Sequence, residues 1–443
     1  MRSRDIEQLE SLVETVTATA EVSGADIEPR ASVSKGMDRR SFFAASAGSM
    51  AGVAALLALT SGEAKAGDLP PNIANPEGLN APGPDYSRIP QRLHVYPASD
   101  KAREIVKASI TMDSLFSGVW PTQWSTPEAP EFHAEMDKIR EAGFKAIAAC
   151  PSADALDTSV GGIAKALLFY LKKINERPDR YRIVRTTKDI DAATAEGRLG
   201  IFFTHQGTAL FAGDPDMVGL WRQLGYGYCL LAYNTRNTVG DGCMEPDNGR
   251  LTGYGKLLID AYDRYGMLVD VSHTAERTAF DAIERSRKPV ISSHSVAKAV
   301  SDYPRSHSDG LIKAIAKSGG VCSINAVGAF VDPTNPDIVS TDILFRHIDH
   351  IVSLTGVDHV GFGSDWIPDV NKTAWAGQGP LGELLFPDGG VMKAMSAKGV
   401  PTPAPYQIIA ALVDKLLSRG WTAADCGKFL GGNLYRVASQ VWG

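Results

Sequence analysis

The chain has 443 residues, 44% hydrophobic and 22% charged, a balance ordinary for a globular enzyme and a length within reach of an α/β barrel with extensions. A formal net charge of −6, with no long Lys/Arg run, argues against a nucleic-acid partner. Five cysteines, odd in number and widely spaced, form neither a disulfide framework nor a Cys-based zinc motif. Cys150, Cys229 and Cys322 lie in or beside apolar runs and are expected to be buried, whereas Cys243 lies among polar residues.

Residues 38–59, DRRSFFAASAGSMAGVAALLAL, pair two arginines with a modest apolar stretch and resemble a twin-arginine export signal. Ala64-Lys65-Ala66 then supplies a small-x-small cleavage site before Gly67. The apolar segment is short and soft for a membrane anchor, so residues 1–66 are expected to be a cleaved leader that sends the protein to the periplasm or outside the cell. The stretch before it is long for a leader, and Met37 is an alternative start. Residues 67–99, rich in Pro, Gly and Asn at their start, are expected to be an extended entry into the domain.

From residue 100 to 443, short apolar runs alternate with amphipathic segments, as repeated βα units do. Eight strands are expected: 108–114, 144–150, 199–206, 226–234, 267–273, 289–295, 320–326 and 359–365. Helices are expected between them at 132–142, 161–177, 215–223, 253–265, 275–286, 308–318 and 339–355. The strands are apolar nearly throughout, which suits a parallel sheet covered on both faces. Eight such units favour an α/β TIM-type (β/α)8 barrel. No Gly-x-Gly-x-x-Gly follows the first strand, so a nucleotide cofactor is not expected. A Gly/Pro-rich loop (366–390) follows, then extra C-terminal helices near 404–419 and 422–440, expected on the barrel's outside.

In such a barrel the loops after the strands form the active face. The strand ends read Asp113, Cys150, Gln206, Tyr233/Asn234, His273, His294, Asn325 and Asp365. Two imidazoles on consecutive strands can reach one metal ion, and an aspartate across the mouth could ligate it or take a proton from water. The remaining histidines carry no motif; His347 and His350, for example, read as solvated helix residues. His205 precedes Gln206 and should point to the opposite face of its strand.

The run GRLTGYGKLLIDAYDRYGMLVDVSHTAERTAFDAIERSRKPVISSHSVAKAVSDYPRSHSD, with GVDHVGFGSDW at 356–366, resembles the membrane (renal) dipeptidase family of zinc metallopeptidases. The resemblance extends from about residue 108 to 440. It implies a two-zinc (β/α)8 barrel that hydrolyses dipeptides, often as a homodimer. It further implies that His273 and His294 bind one zinc, that Asp365 assists the attacking water, and that Arg305 clamps the substrate carboxylate, a job its planar fork suits.

This chain departs from the family at four positions. The strand-1 ligands of the other zinc fall at Leu115 and Ser117, the bridging glutamate at Gln206, and a substrate-binding histidine at Tyr233. Leucine has no lone pair, serine is a poor zinc ligand, and an amide lacks the carboxylate's charge. One zinc rather than two is expected, with Gln206, Asp113 or His205 as weak additional contacts and Tyr233 and Asn234 facing substrate. The loop 236–252 offers Asp241, Cys243, Glu245 and Asp247 as replacement contacts. Three readings stand: a dipeptide or small-amide hydrolase, a silent relative that binds a peptide-like ligand, and a barrel hydrolase for another amide, lactone or ester. The end RVASQVWG has no hydrophobic tail of the kind a lipid anchor requires.

Overall fold

A computed structural model describes residues 96–117, 131–154, 158–335, 339–366 and 402–442, all within one compact unit spanning residues 77–443. The expected leader, nearly all of the extended segment and residues 367–390 of the Gly/Pro-rich loop lie outside the described residues. Nine strands form one sheet: β1 (Thr111–Phe116), β2 (Phe144–Ala149), β3 (Tyr181–Ile183), β4 (Leu199–His205), β5 (Tyr226–Leu230), β6 (Leu268–Asp270), β7 (Val290–Ser295), β8 (Cys322–Ile324) and β9 (Val360–Phe362). They pair in parallel in the order β1-β2-β4-β5-β6-β7-β8-β9. The three-residue β3 adds to the N-terminal half of β4.

All eight expected strands are present. The first begins three residues later than expected, because residues 100–108 form a helix that the apolar run at 108–114 did not announce. The sheet curls until β9 meets β1. There the Asp365 N–H donates to Leu115 O at 2.9 Å, and the Ser114 hydroxyl lies 2.8 Å from Phe362 O and 2.6 Å from Ser293 O. A Cβ on Gly363 would stand 2.1 Å from Ser293 O, so only glycine lets the chain cross so close to β7. The result is a nearly closed TIM-type (β/α)8 barrel.

The helices are α1 (Asp100–Ala108), α2 (Glu131–Ala142), α3 (Val160–Glu176), α4 (Thr187–Ala195), α5 (Met217–Gln223), α6 (Gly253–Tyr265), α7 (Glu276–Arg285), α8 (Asp309–Lys317), α9 (Gly328–Val331), α10 (Thr341–Thr355), α11 (Pro405–Ser418), α12 (Ala423–Gly427) and α13 (Asn433–Val441). Their limits follow local chemistry. Thr252 accepts the Gly255 N–H at 3.0 Å to start α6, and Gly266, at φ 71°, ends it in the left-handed conformation glycine adopts freely. Ser308 and Ser340 cap α8 and α10 in the same way as Thr252.

Two apolar cores result. The larger lies between the strands' outer faces and the helices, and α11 joins it through Ile408, Ile409 and Leu412. The smaller fills the N-terminal half of the barrel with Met112, Ala146, Phe202, Tyr228, Leu268, Ile291 and Val321. Leu434, Val437, Val441 and Trp442 pack against that second core. The expectation that the terminal helices lie outside therefore holds for α11 and fails for α13. Helix α13 stoppers the barrel's N-terminal end, because its apolar stripe matches the interior layer rather than the outer helices. No helix among the described residues is long and apolar enough to cross a membrane.

Candidate active site at the C-terminal face

His273 and His294 follow the ends of β6 and lie within β7, and their rings converge. Nε2 of one lies 2.9 Å from Nε2 of the other. Both rings are buried, and burial, with the nearby Arg305 charge, pushes both well below the usual imidazole range. They are neutral at physiological pH, the state that offers a lone pair to a metal. Asn234 Oδ1 lies 2.6 Å from His273 Nδ1, and Tyr233 stacks on the His273 ring at 4.4 Å. Both residues reach the site as expected, and what they touch there is the imidazole. Ser293 Oγ is 2.7 Å from His294 Nδ1.

Across the mouth, Arg305 is buried. Its Nη2 donates to His294 O at 3.0 Å and its Nη1 to Asp365 Oδ2 at 3.3 Å. The guanidinium lies 4.3 Å from the Phe330 ring centroid. Its Nε is buried with no partner among the described residues. Ser117 donates to the other Asp365 oxygen at 2.9 Å. Burial raises the Asp365 carboxyl, and Arg305 and Ser117 oppose that shift. Asn234, His273 and Asp365 have φ of 59°, 59° and 54°, three of the five non-glycine residues with positive φ among those described. Such backbone strain gathers where side chains must be aimed.

The other expected contacts are turned elsewhere. Asp113 lies beneath the site, fully buried, accepting N–H groups of Leu115 and Ser364 at 3.0 and 2.8 Å and the Ser364 hydroxyl at 2.5 Å. Gln206 Nε2 faces Cys150 Sγ at 3.8 Å. His205 points to the strand's outer face, 2.8 Å from Asp154. Arg236 gathers the loop acids, holding Asp241 and Asp247 by its side chain and Glu245 by its N–H. Only Cys243 turns inward, with Sγ 3.4 Å from Asn234 Oδ1. His347 corrects the sequence reading: it is buried, accepting the Ala297 N–H at 3.2 Å and bonding Val331 O at 3.0 Å. His307, which carries no motif, is buried as well.

The nitrogen donors of the site are gathered on one side. Two neutral imidazoles present converging Nε2 atoms, while on the opposite side Leu115 and Gln206 offer no carboxylate or imidazole and Ser117 is hydrogen-bonded to Asp365. Among the described residues no three His, Cys, Asp or Glu side chains form a metal-holding group. The fold and the paired imidazoles define the class: a TIM-type barrel with a buried polar site at its C-terminal face. A family model for membrane dipeptidase (peptidase family M19) matches residues 99–376, and the chain belongs to that family.

The chain is 34% identical over 171 residues to an uncharacterized dipeptidase of Schizosaccharomyces pombe, covering 38% of this chain and 41% of that protein. It is 25% identical over 315 residues to the dipeptidase verJ of Clonostachys rogersoniana, covering 70% of each. An amidohydrolase from Pseudomonas aeruginosa superposes with a TM-score of 0.65 at 26% identity, covering 77% of this chain and 99% of that one. A Rhodobacter sphaeroides metallo peptidase liganded with a phosphinate mimic of L-Ala-D-Ala shares the fold, with a TM-score of 0.58 at 19% identity over 75% of this chain and 100% of that one.

Proposed function

We propose that this protein is an exported hydrolase of dipeptides or closely related small amides, working with a single zinc ion held by His273 and His294. The observation that carries the reading is the buried Arg305 beside the imidazole pair, with its Nε donor unpartnered. A buried guanidinium with a free N–H is a receptor for a carboxylate, and a dipeptide's C-terminal carboxylate is the group that supplies one. Zinc, when bound, contributes Lewis acidity at neutral pH. The chain's own residues do the rest. Asn234 and Tyr233 fix the plane of His273, Arg305 fixes the substrate's end, and Asp365 is the carboxylate placed to take the proton from water. Relatives named as dipeptidases support the substrate class. The arginine pair and the cleavage motif support export.

The test is a dipeptide panel assayed with the zinc-loaded protein and its Arg305→Met variant. KM should rise at least about tenfold for substrates with a free C-terminal carboxylate, since one charge-assisted contact is worth about 1.5–3 kcal/mol, and should change little for C-terminal amides. Equal effects on both would sink the carboxylate assignment. One observation favours a binding protein without turnover: both Asp365 oxygens already have partners in Ser117 and Arg305. Turnover that vanishes in Asp365→Asn excludes that reading.

A further inference from the structure

His307 lies 13 positions beyond His294 and touches neither imidazole of the pair, yet a continuous file of buried hydrogen bonds joins them. His307 Nε2 is 2.8 Å from Ser292 Oγ, and Ser292 Oγ is 3.2 Å from Ser272 Oγ. Ser272 Oγ is 3.3 Å from Ser293 Oγ, and Ser293 Oγ is 2.7 Å from His294 Nδ1. From there the file runs His294 Nε2 to His273 Nε2 at 2.9 Å and His273 Nδ1 to Asn234 Oδ1 at 2.6 Å. All seven residues are buried. The serine backbones are pinned from below, since Asp270 Oδ1 accepts the N–H of Ser272 and of Ser293, each at 3.0 Å.

The direction of the file follows from donor counting. A carbonyl oxygen only accepts, so His273 carries its proton on Nδ1, where it faces Asn234 Oδ1. Its Nε2 is then an acceptor, and His294 must carry its proton on Nε2. His294 Nδ1 therefore accepts from Ser293, Ser293 from Ser272, Ser272 from Ser292, and Ser292 from the Nε2–H of His307. Burial keeps all three rings neutral: His307 is pushed down to about 3, and the other two fall well below the usual range. Each ring thus has one proton, and every link has one donor when the Ser272 and Ser293 hydroxyls point along the file rather than at the Asp270 carboxylate they also approach.

Cation binding at the pair conflicts with that direction. Both Nε2 atoms must then offer lone pairs, so His294 must move its proton to Nδ1 and donate to Ser293. Each hydroxyl then turns round, and Ser292 donates to His307 Nε2, which must give up its proton to Nδ1 of the same ring.

We propose that His307 is a positioning residue for the imidazole pair, and that through Ser292, Ser272 and Ser293 its tautomer follows the occupancy of the site by a divalent cation. This rests on the single-ion reading above. The role is indirect, since His307 acts only by letting His294 hold the tautomer that frees Nε2. Fixing the tautomer of a ligating histidine is the general task of its outer hydrogen-bond partners.

The experiment uses the mature protein labelled with 15N-histidine, titrated with Zn2+ alone, with the His307 ring signals assigned by their loss in His307→Gln. The expected result is that the pyrrole-type and pyridine-type signals of His307 exchange between its nitrogens as the His273 and His294 signals respond, the ring remaining neutral. If the pair responds and His307 does not, the relay is wrong and the single-ion site stands. If none of the three responds, both fall.

Variants supply the second arm, read as the Zn2+ dissociation constant by competition with a chromophoric chelator. His307→Phe should weaken binding about 10- to 100-fold, the usual effect of losing an outer-shell partner. His307→Gln should recover most of it, because a side-chain amide can present either N–H or C=O to Ser292. Ser292→Ala should abolish the His307 tautomer response in the otherwise zinc-binding protein. Equal weakening by Phe and Gln, or a response that survives Ser292→Ala, would overturn the proposal.

Discussion

Asp113 shows how one residue can be read correctly for position and not for role. It stands at a strand end, where ligands are found, but its carboxylate is spent on the N–H groups of Leu115 and Ser364 and on the Ser364 hydroxyl. It ties β1 to the segment after β9 at the seam of the barrel. Burial pushes its carboxyl from an ordinary 3.8 up to about 7, against those hydrogen bonds. The folded state therefore holds this proton more tightly than the unfolded chain does. Its contribution to stability is fully present below about pH 4 and is lost as pH rises through about 7. Asp113→Asn keeps two acceptor contacts without ionising. Its urea midpoint should lose the decline that the parent shows between about pH 4.5 and 7.5. An unchanged slope would show that another group causes it.

Helix α13 carries the corresponding lesson for elements. Its sequence is amphipathic and would suit the outside of a barrel, yet it seals the inside. Trp442, just after it, donates from Nε1 to Gly227 O at 3.0 Å and packs edge-on to Phe202 at 5.0 Å. Gly227 has no room for a side chain, since a Cβ there would lie 2.5 Å from the indole. Trp442→Ala should cost about 3–5 kcal/mol, the range for emptying a large aromatic from a core, measured by urea unfolding. Metal affinity should be preserved, because the plug lies at the opposite end from the imidazoles. A loss under about 1 kcal/mol would mean that the helix is dispensable to the barrel.

At the scale of the whole molecule, the barrel's two ends divide the work. The N-terminal half is apolar and stoppered, the middle layer holds Asp270 and the serine file, and the C-terminal face carries the imidazoles and Arg305. On the proposed single-ion reading, with Leu115, Ser117 and Gln206 supplying no second set of ligands, the mature chain should take up close to one equivalent of zinc. Elemental analysis of exported protein, with an intact mass beginning at Gly67, tests stoichiometry and processing together. Zinc at about 100 times its dissociation constant should stabilise the fold by about 2.7 kcal/mol, a gain that a chelator reverses. Two equivalents would restore the two-metal reading.

The eight strands were legible because buried parallel strands are apolar nearly throughout, and that pattern is local. His273, His294 and Asp365 were legible for a related reason: the barrel's geometry turns strand ends into one face. The short β3 gave no such signal, having only three residues, with Arg182 between Tyr181 and Ile183. Nor did His307. Its role depends on three serine hydroxyls from β7 and the end of β6 lining up in space, and no sequence spacing encodes that alignment. His347 looked solvated because it lies on a helix, but what that helix face meets is a tertiary fact.

Taken alone, the sequence determined the barrel, the family and the imidazole pair, because each depends on residue identity in the strands or at their ends. The tertiary structure decided what those side chains touch. It set Asp365 against Arg305 and Ser117, turned Asp113 into a seam, placed α13 in the barrel's mouth at the N-terminal end, and joined His307 to His294. Hydrogen bonds are fixed by distances of a few tenths of an ångström between residues far apart in the chain, and only the folded backbone specifies those distances.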